Sequence, residues 1–344
     1  MFIKNCWYVV AWATEVAPQE LAGRLVVGEP VVLTRLSDGA VVAFEDRCSH
    51  RFAQLSKGRC EGDSIRCMYH GIKFDREGRC TEIPGQDRVS AGMNLRKYPV
   101  IERHGAIWLW PGDAALANSD LIPELVGPGA PGVAWKWDWM DYDVDYQLIN
   151  DNLCDLSHIA FVHHDTLAAV GGNAWASSRP KLTTHDRGVR YERWFENSPP
   201  PMGVSDPEVD AWQVYEYLAP GILIMTMTFY SKGTAAQFDF GPPSADVEPL
   251  FDSYNFQAVT PMAERKTRYF FADGVGRYGG SPEVHEAFHQ LVIAAFHQDK
   301  ETISAQQQTI DRTPDRKMGS TVHDRAPNHL RLIIEKTMRA EQVA

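Results

Sequence analysis

Cys48 pairs with His50 and, after sixteen intervening residues, Cys67 pairs with His70, so the chain carries a C-x-H arm and a C-x-x-H arm. One thiolate and one imidazole on each of two neighbouring hairpin tips suit a [2Fe–2S] cluster whose cysteines hold one iron and whose histidines hold the other. Zinc also takes two cysteines and two histidines and stands as the alternative. Zinc sites usually draw like ligands from each arm, a C-x-x-C facing an H-x3–5-H, whereas both arms here are mixed. The mixed arms favour the cluster.

Around the arms the pattern is β-rich and short-range. Arg24 to Val27, Val31 to Thr34, Val41 to Phe44, Ile72 to Phe74 and Ile107 to Trp110 read as strands, with turns at Ser37-Asp38-Gly39, Glu61-Gly62-Asp63 and Arg76-Glu77-Gly78. A small all-β domain over 1–115 follows, ended by the proline-rich stretch from Pro111 to Pro131. In 116–344, Tyr146 to His163 reads as one helix, Leu182 to Phe195 and Trp212 to Tyr230 as strands, and Tyr254 to Asp273 as a strand pair. Pro282 to Thr309 reads as a long helix opened by Ser281, and Leu330 to Ala344 as a short amphipathic one. The class is α+β: an all-β domain, then a domain with a curved antiparallel sheet flanked by helices and enclosing a cavity.

The 344 residues are enough for two domains, and a formal charge of −11 argues against nucleic acid or an anionic membrane as partner. With no long apolar run and no charged-then-apolar start, a cytoplasmic protein is expected. Cys6, Cys60, Cys80 and Cys154 are then free thiols, even though Cys60 and Cys80 flank the second arm.

A second metal is suggested by Asp155, His158 and His163. On a regular helix the two histidines, five apart, point about 140° apart, so both reach one ion only through a π-bulge or a helix end between them. Two partly buried, hydrogen-bonded histidines are the plainer reading. A one-electron cluster needs something to reduce, however, and two histidines with one carboxylate is the usual site of non-haem Fe(II). Asp299, among Val292, Ala295, Phe296 and Ile303, is the best third ligand, because a carboxylate in an apolar layer is costly unless it binds a metal or a cation. A salt bridge to Lys or Arg is the alternative. His164 points elsewhere, and His285 and His297, roughly 18 Å apart along a helix, cannot share an ion. With His289 they read as a polar face or a subunit contact.

Phe2-Ile3-Lys4-Asn5-Cys6-Trp7-Tyr8-Val9, the two arms, Ile83-Pro84-Gly85-Gln86, Trp108-Leu109-Trp110-Pro111-Gly112-Asp113 and Asp151-Asn152 through His163 together resemble the oxygenase components of Rieske non-haem iron oxygenases. The subgroup is that of vanillate O-demethylase, dicamba O-demethylase and toluenesulfonate methyl-monooxygenase. The resemblance implies that Cys48 and Cys67 bind one cluster iron, His50 and His70 the other, and His158, His163 and Asp299 the mononuclear Fe(II). It makes Asp155 the carboxylate bridging His70 of one subunit to His158 of the next, and Asn152 a polar neighbour of the iron. It further implies a homotrimer, O2 as co-substrate, and NADH electrons arriving through a separate reductase of flavin or ferredoxin type. The chain has no G-x-G-x-x-G loop and no plant-type C-x4-C-x2-C run, so it takes no hydride itself.

The reaction implied is hydroxylation or O-demethylation of an aromatic, acidic substrate. A ring cis-dihydroxylating dioxygenase and a plain Rieske electron carrier are the competing functions. The first usually has a longer chain paired with a β subunit, and the second needs only the first domain. Gln257 and Asn255 are candidate polar contacts to substrate, or else ordinary sheet residues.

Overall fold

The computed structural model describes residues 1–128, 130–169, 171–276 and 281–343. The first unit, Met1–Glu124 with Thr260–Glu264, is made of short strands: β1 (Tyr8–Trp12), β2 (Ala22–Val26), β3 (Glu29–Arg35), β4 (Val41–Glu45), β5 (Arg59–Glu61), β6 (Ser64–Arg66), β7 (Lys73–Phe74), β8 (Cys80–Glu82), β9 (Lys97–Tyr98), β10 (Val100–Arg103) and β11 (Ala106–Leu109). They form three sheets, ordered β1-β11-β10, β2-β3-β4-β9 and β5-β6-β7-β8. Val27 and Gly28, both at positive φ, turn β2 tightly into β3, as the twist of a hairpin demands.

The two arms leave the second and third sheets in matching form. Phe52 N–H donates to Cys48 O at 2.8 Å, and Gly71 N–H to Cys67 O at 3.0 Å. Both donors lie in the left-handed region, at φ +56° and +74°. Cys48 and Cys67 are buried in the same apolar cluster as Phe44, Leu55, Ile65 and Phe74. His50 and His70 are exposed at the tips. Burial of the cysteines anchors each arm, and the short loops then carry the histidines outward.

The second unit, Leu125–Val259 with Arg265–Ala344, holds β12 (Ala134–Tyr142), α1 (Tyr146–Cys154), α2 (Ile159–Val162), α3 (Ala174–Ser177), β13 (Lys181–His185), β14 (Gly188–Ser198), β15 (Val209–Leu218), β16 (Ile222–Ser231), α4 (Thr234–Gln237), β17 (Phe251–Ala263), β18 (Lys266–Val275), α5 (Pro282–Arg312) and α6 (Arg325–Val343). Its strands make one antiparallel sheet, β12-β18-β17-β16-β15-β14-β13. The α+β class expected from the sequence holds. Ser281 caps α5 by accepting Val284 N–H, with Pro282 in the first turn.

Several elements differ from the expectation. Leu182 to Phe195 is a hairpin, β13 pairing antiparallel with β14 across a turn at Asp186 and Arg187. Trp212 to Tyr230 is likewise two strands. β12 went unread because its alternating Trp and charged residues bury only Met140 and Tyr142. The last helix starts at Arg325 and runs to Val343; Ala344 lies outside the described residues. None of the six cysteines is in a disulfide.

Candidate metal centres

At the arm tips the His50 and His70 rings lie 4.7 Å apart between centroids. Burial, with Cys67 beside it, pushes the Cys48 thiol up to about 11, so a metal must displace its proton to bind there. Among the described residues, the three-residue group whose ligand atoms all lie within 4.8 Å of one another is a different one, His158, His163 and Asp299.

The predicted helix from Tyr146 to His163 is broken, and the break makes the second site. α1 stops at Cys154, whose carbonyl accepts the Tyr215 hydroxyl at 3.1 Å. Asp155 is extended at φ −125° and caps a short turn, Leu156–His158, by accepting Ser157 N–H at 2.9 Å. α2 follows, and His163 ends it. The interruption swings His158 and His163 onto one point, their rings 5.3 Å apart.

His158 Nδ1 lies 2.6 Å from the Asp155 main-chain carbonyl, and His163 Nδ1 lies 3.0 Å from Gln298 Oε1. Both partners are acceptors, so each Nδ1 carries a proton and each ring, when neutral, presents a lone pair at Nε2. Those lone pairs face Asp299, with His163 Nε2 3.2 Å from Oδ2 and His158 Nε2 3.6 Å from Oδ1. Asn152 Nδ2 donates to Asp299 Oδ1 at 2.9 Å. Asp299 is 4% exposed, and among the described residues no Lys or Arg reaches it. Two lone pairs and a buried carboxylate converging without a cation is an arrangement that a metal ion would satisfy. Burial pulls the His158 imidazole below the usual range. Burial also acts on His163, but the hydrogen bond and charge of Asp299 outweigh it and hold that imidazole above the usual range.

The triad opens on a cavity of about 310 Å³ walled largely by apolar side chains such as Leu223, Met225, Met227, Phe251 and Phe288. Gln257 and Asn255 line it as well. A second cavity, about 540 Å³ and polar, holds Asp155, Ser177, Ser178, Arg193 and His323 in its lining, and Trp175 and Leu156 line both.

Three placements depart from the sequence reading. The Asp155 carboxylate is engaged by Ser157, and it is the Asp155 carbonyl that meets His158. His285 and His289 form neither a polar face nor a subunit contact: both are buried, and both bond Asp273, at 3.0 and 2.6 Å. Gln298 was overlooked. It links His163 to Thr166 and Asp165, bonding them at 2.9 and 2.8 Å, and its place immediately before Asp299 was the one available clue.

Residues 142–340 match the vanillate O-demethylase oxygenase C-terminal domain family, and residues 6–99 the Rieske [2Fe-2S] domain family. The iron-sulfur subunit of the toluene-4-sulfonate monooxygenase system of Comamonas testosteroni is 36% identical over 99% of this chain and 98% of its own. A vanillate O-demethylase oxygenase subunit from Pseudomonas is 30% identical over 100% and 97%. The crystal structure of dicamba monooxygenase with non-haem iron and dicamba superposes with a TM-score of 0.83 at 26% identity, covering 99% of each chain.

Proposed function

The chain belongs to the Rieske oxygenases that carry the vanillate O-demethylase oxygenase C-terminal domain, and from that premise we propose that Cys48, Cys67, His50 and His70 hold its [2Fe–2S] cluster and that His158, His163 and Asp299 hold its mononuclear iron. It is the oxygenase component of a multicomponent monooxygenase that acts on an aromatic substrate and takes electrons from a separate reductase. The observation that carries the ligand assignment is the convergence of the three ligand atoms within 4.8 Å at an apolar cavity. A cavity of about 310 Å³ suits a single-ring compound.

When bound, the cluster supplies single electrons and the mononuclear iron supplies O2 activation. The protein's share is positional. Gln298 and the Asp155 carbonyl fix the two imidazoles with Nε2 forward, and Asn152 fixes Asp299. The apolar walls exclude water and hold the ring in place, so that a C–H bond, on an aryl methyl or next to oxygen, is the one oxidised. If that carbon is an O-methyl, the hemiacetal formed collapses to a phenol and formaldehyde.

Residues 1–115 serve as the cluster domain and 116–344 as the catalytic domain. Three such chains form a cytoplasmic homotrimer served by a flavin or ferredoxin-type reductase drawing on NADH. In the trimer the free side of the Asp155 carboxylate takes the partner subunit's His70, while its carbonyl holds His158. The −11 charge and the free thiols support a cytoplasmic enzyme with neither nucleic acid nor membrane as partner.

Iron counting tests the ligand sets: about three irons per chain are expected in the wild type, and about two in Asp299→Ala with the visible spectrum of the cluster unchanged. Full iron and activity in that variant would place the third ligand elsewhere. Asp155→Asn should keep its metals, while single turnover of the pre-reduced enzyme with substrate and O2 slows by orders of magnitude; wild-type reoxidation of the cluster would remove the bridge.

A further inference from the structure

The floor of the apolar cavity is a ladder of cross-strand pairs between β16 and β17: Leu223 with Gln257, Met225 with Asn255, Met227 with Ser253 and Phe229 with Phe251. Most polar groups along it are already engaged. The Ser253 hydroxyl donates to Met227 O at 3.2 Å, Thr166 to Gln298 Oε1 at 2.9 Å, and the Tyr254 hydroxyl to Asp252 at 3.1 Å.

A relay of three side chains runs along β17 and β18. The Tyr269 hydroxyl donates to Gln257 Oε1 at 2.7 Å, and Gln257 Nε2 donates to Asn255 Oδ1 at 2.5 Å. Burial holds the Tyr269 phenol well above its ordinary range, so it stays protonated. A carboxamide has one accepting end and one donating end, and Gln257, with its oxygen on Tyr269, turns its nitrogen to Asn255. At the end of the relay one lone pair of the Asn255 oxygen is taken by Gln257. Asn255 Nδ2, with no partner among the described residues, is what the relay offers to the cavity that Asn255 lines.

We propose that Asn255 Nδ2 is a specificity-determining donor and that the aromatic substrate reaches it with an oxygen acceptor: a carbonyl, ether, carboxylate or sulfonate oxygen. This rests on the oxygenase reading for the word substrate, though not for the binding it asserts. A ligand that brings only a donor meets a second donor and leaves both unpaired in an apolar chamber, which is the costly outcome.

The test uses the metal-loaded enzyme and four probes of one shape, their binding followed by calorimetry. 4-Methylacetophenone is a neutral acceptor, 4-methylbenzoate an anionic one, 4-methylaniline carries donors, and 4-ethyltoluene carries neither. The better-bound acceptor is expected to exceed 4-ethyltoluene by about tenfold; a lead for the ketone identifies a neutral acceptor, and a lead for the benzoate an anion. Asn255→Leu should erase that lead and leave 4-ethyltoluene unchanged. Asn255→Asp, nearly the same size and therefore the safeguard against misfolding, should turn preference toward 4-methylaniline.

A lead that survives both variants, a wild type that prefers the aniline, or no binding of any probe at millimolar concentration overturns the proposal. Single turnover of the dithionite-reduced enzyme with O2 separates it from the oxygenase reading. Acceptor preference without oxidation of any probe removes that reading and keeps the donor, while oxidation without preference does the reverse.

Discussion

Gln298 contributes one oxygen to the metal triad's surroundings, and through it the orientation of His163 depends on a chain that ends at Asp165. Gln298→Leu should therefore weaken iron binding by about 10- to 100-fold, with the ligands themselves intact; titration of the apo-protein with Fe(II) measures it, and an unchanged affinity would reduce Gln298 to a packing residue. Side-chain chemistry made His158, His163 and Asp299 conspicuous in the sequence, because two imidazoles and an acid in apolar surroundings call for a cation. Gln298 gave no such signal, being a neutral amide whose work is visible only when its oxygen is seen beside a ring. His285 and His289 misled for the opposite reason. Their partner Asp273 belongs to a strand, 12 and 16 positions away, and no helical periodicity reveals a carboxylate waiting in a sheet.

The arms and the broken helix show two ways in which an element gives a ligand its direction. In the second arm the backbone turns at Gly71, at φ +74°, where an added Cβ would lie 3.0 Å from Pro84 Cγ. Gly71→Ala should cost about 1–2 kcal/mol of stability, from left-handed strain and this crowding. The cluster, held by that loop, should be lost at lower temperature than in the wild type. Denaturant unfolding, together with loss of visible absorption on heating, measures both effects, and a wild-type profile would show that the loop tolerates the change. Five of the eleven strands of the first unit, β2, β3, β4, β7 and β11, were legible because turn residues punctuate them at short intervals. The break at Asp155 was legible only as a requirement, from the 140° separation of two histidines that had to meet. The Tyr215 hydroxyl that satisfies the Cys154 carbonyl at the break is a tertiary contact and leaves no mark in the local sequence.

Over the whole molecule, the two proposed ligand sets fall in separate compact units, and no helix among the described residues is long and apolar enough to cross a membrane. Cys67→Ala should accordingly abolish the visible absorption of the cluster while retaining about one iron per chain at the triad. Loss of all iron in that variant would mean that the units do not hold their metals independently. Trp175 and Leu156 line the apolar cavity on one side and the polar cavity on the other. Hydroxylating a C–H bond with O2 and two electrons also consumes two protons, the equivalent of both hydrogens of the water formed, and an apolar chamber supplies few. Because Trp175 and Leu156 belong to the linings of both cavities, a polar chamber adjoins the apolar one in which those protons are needed.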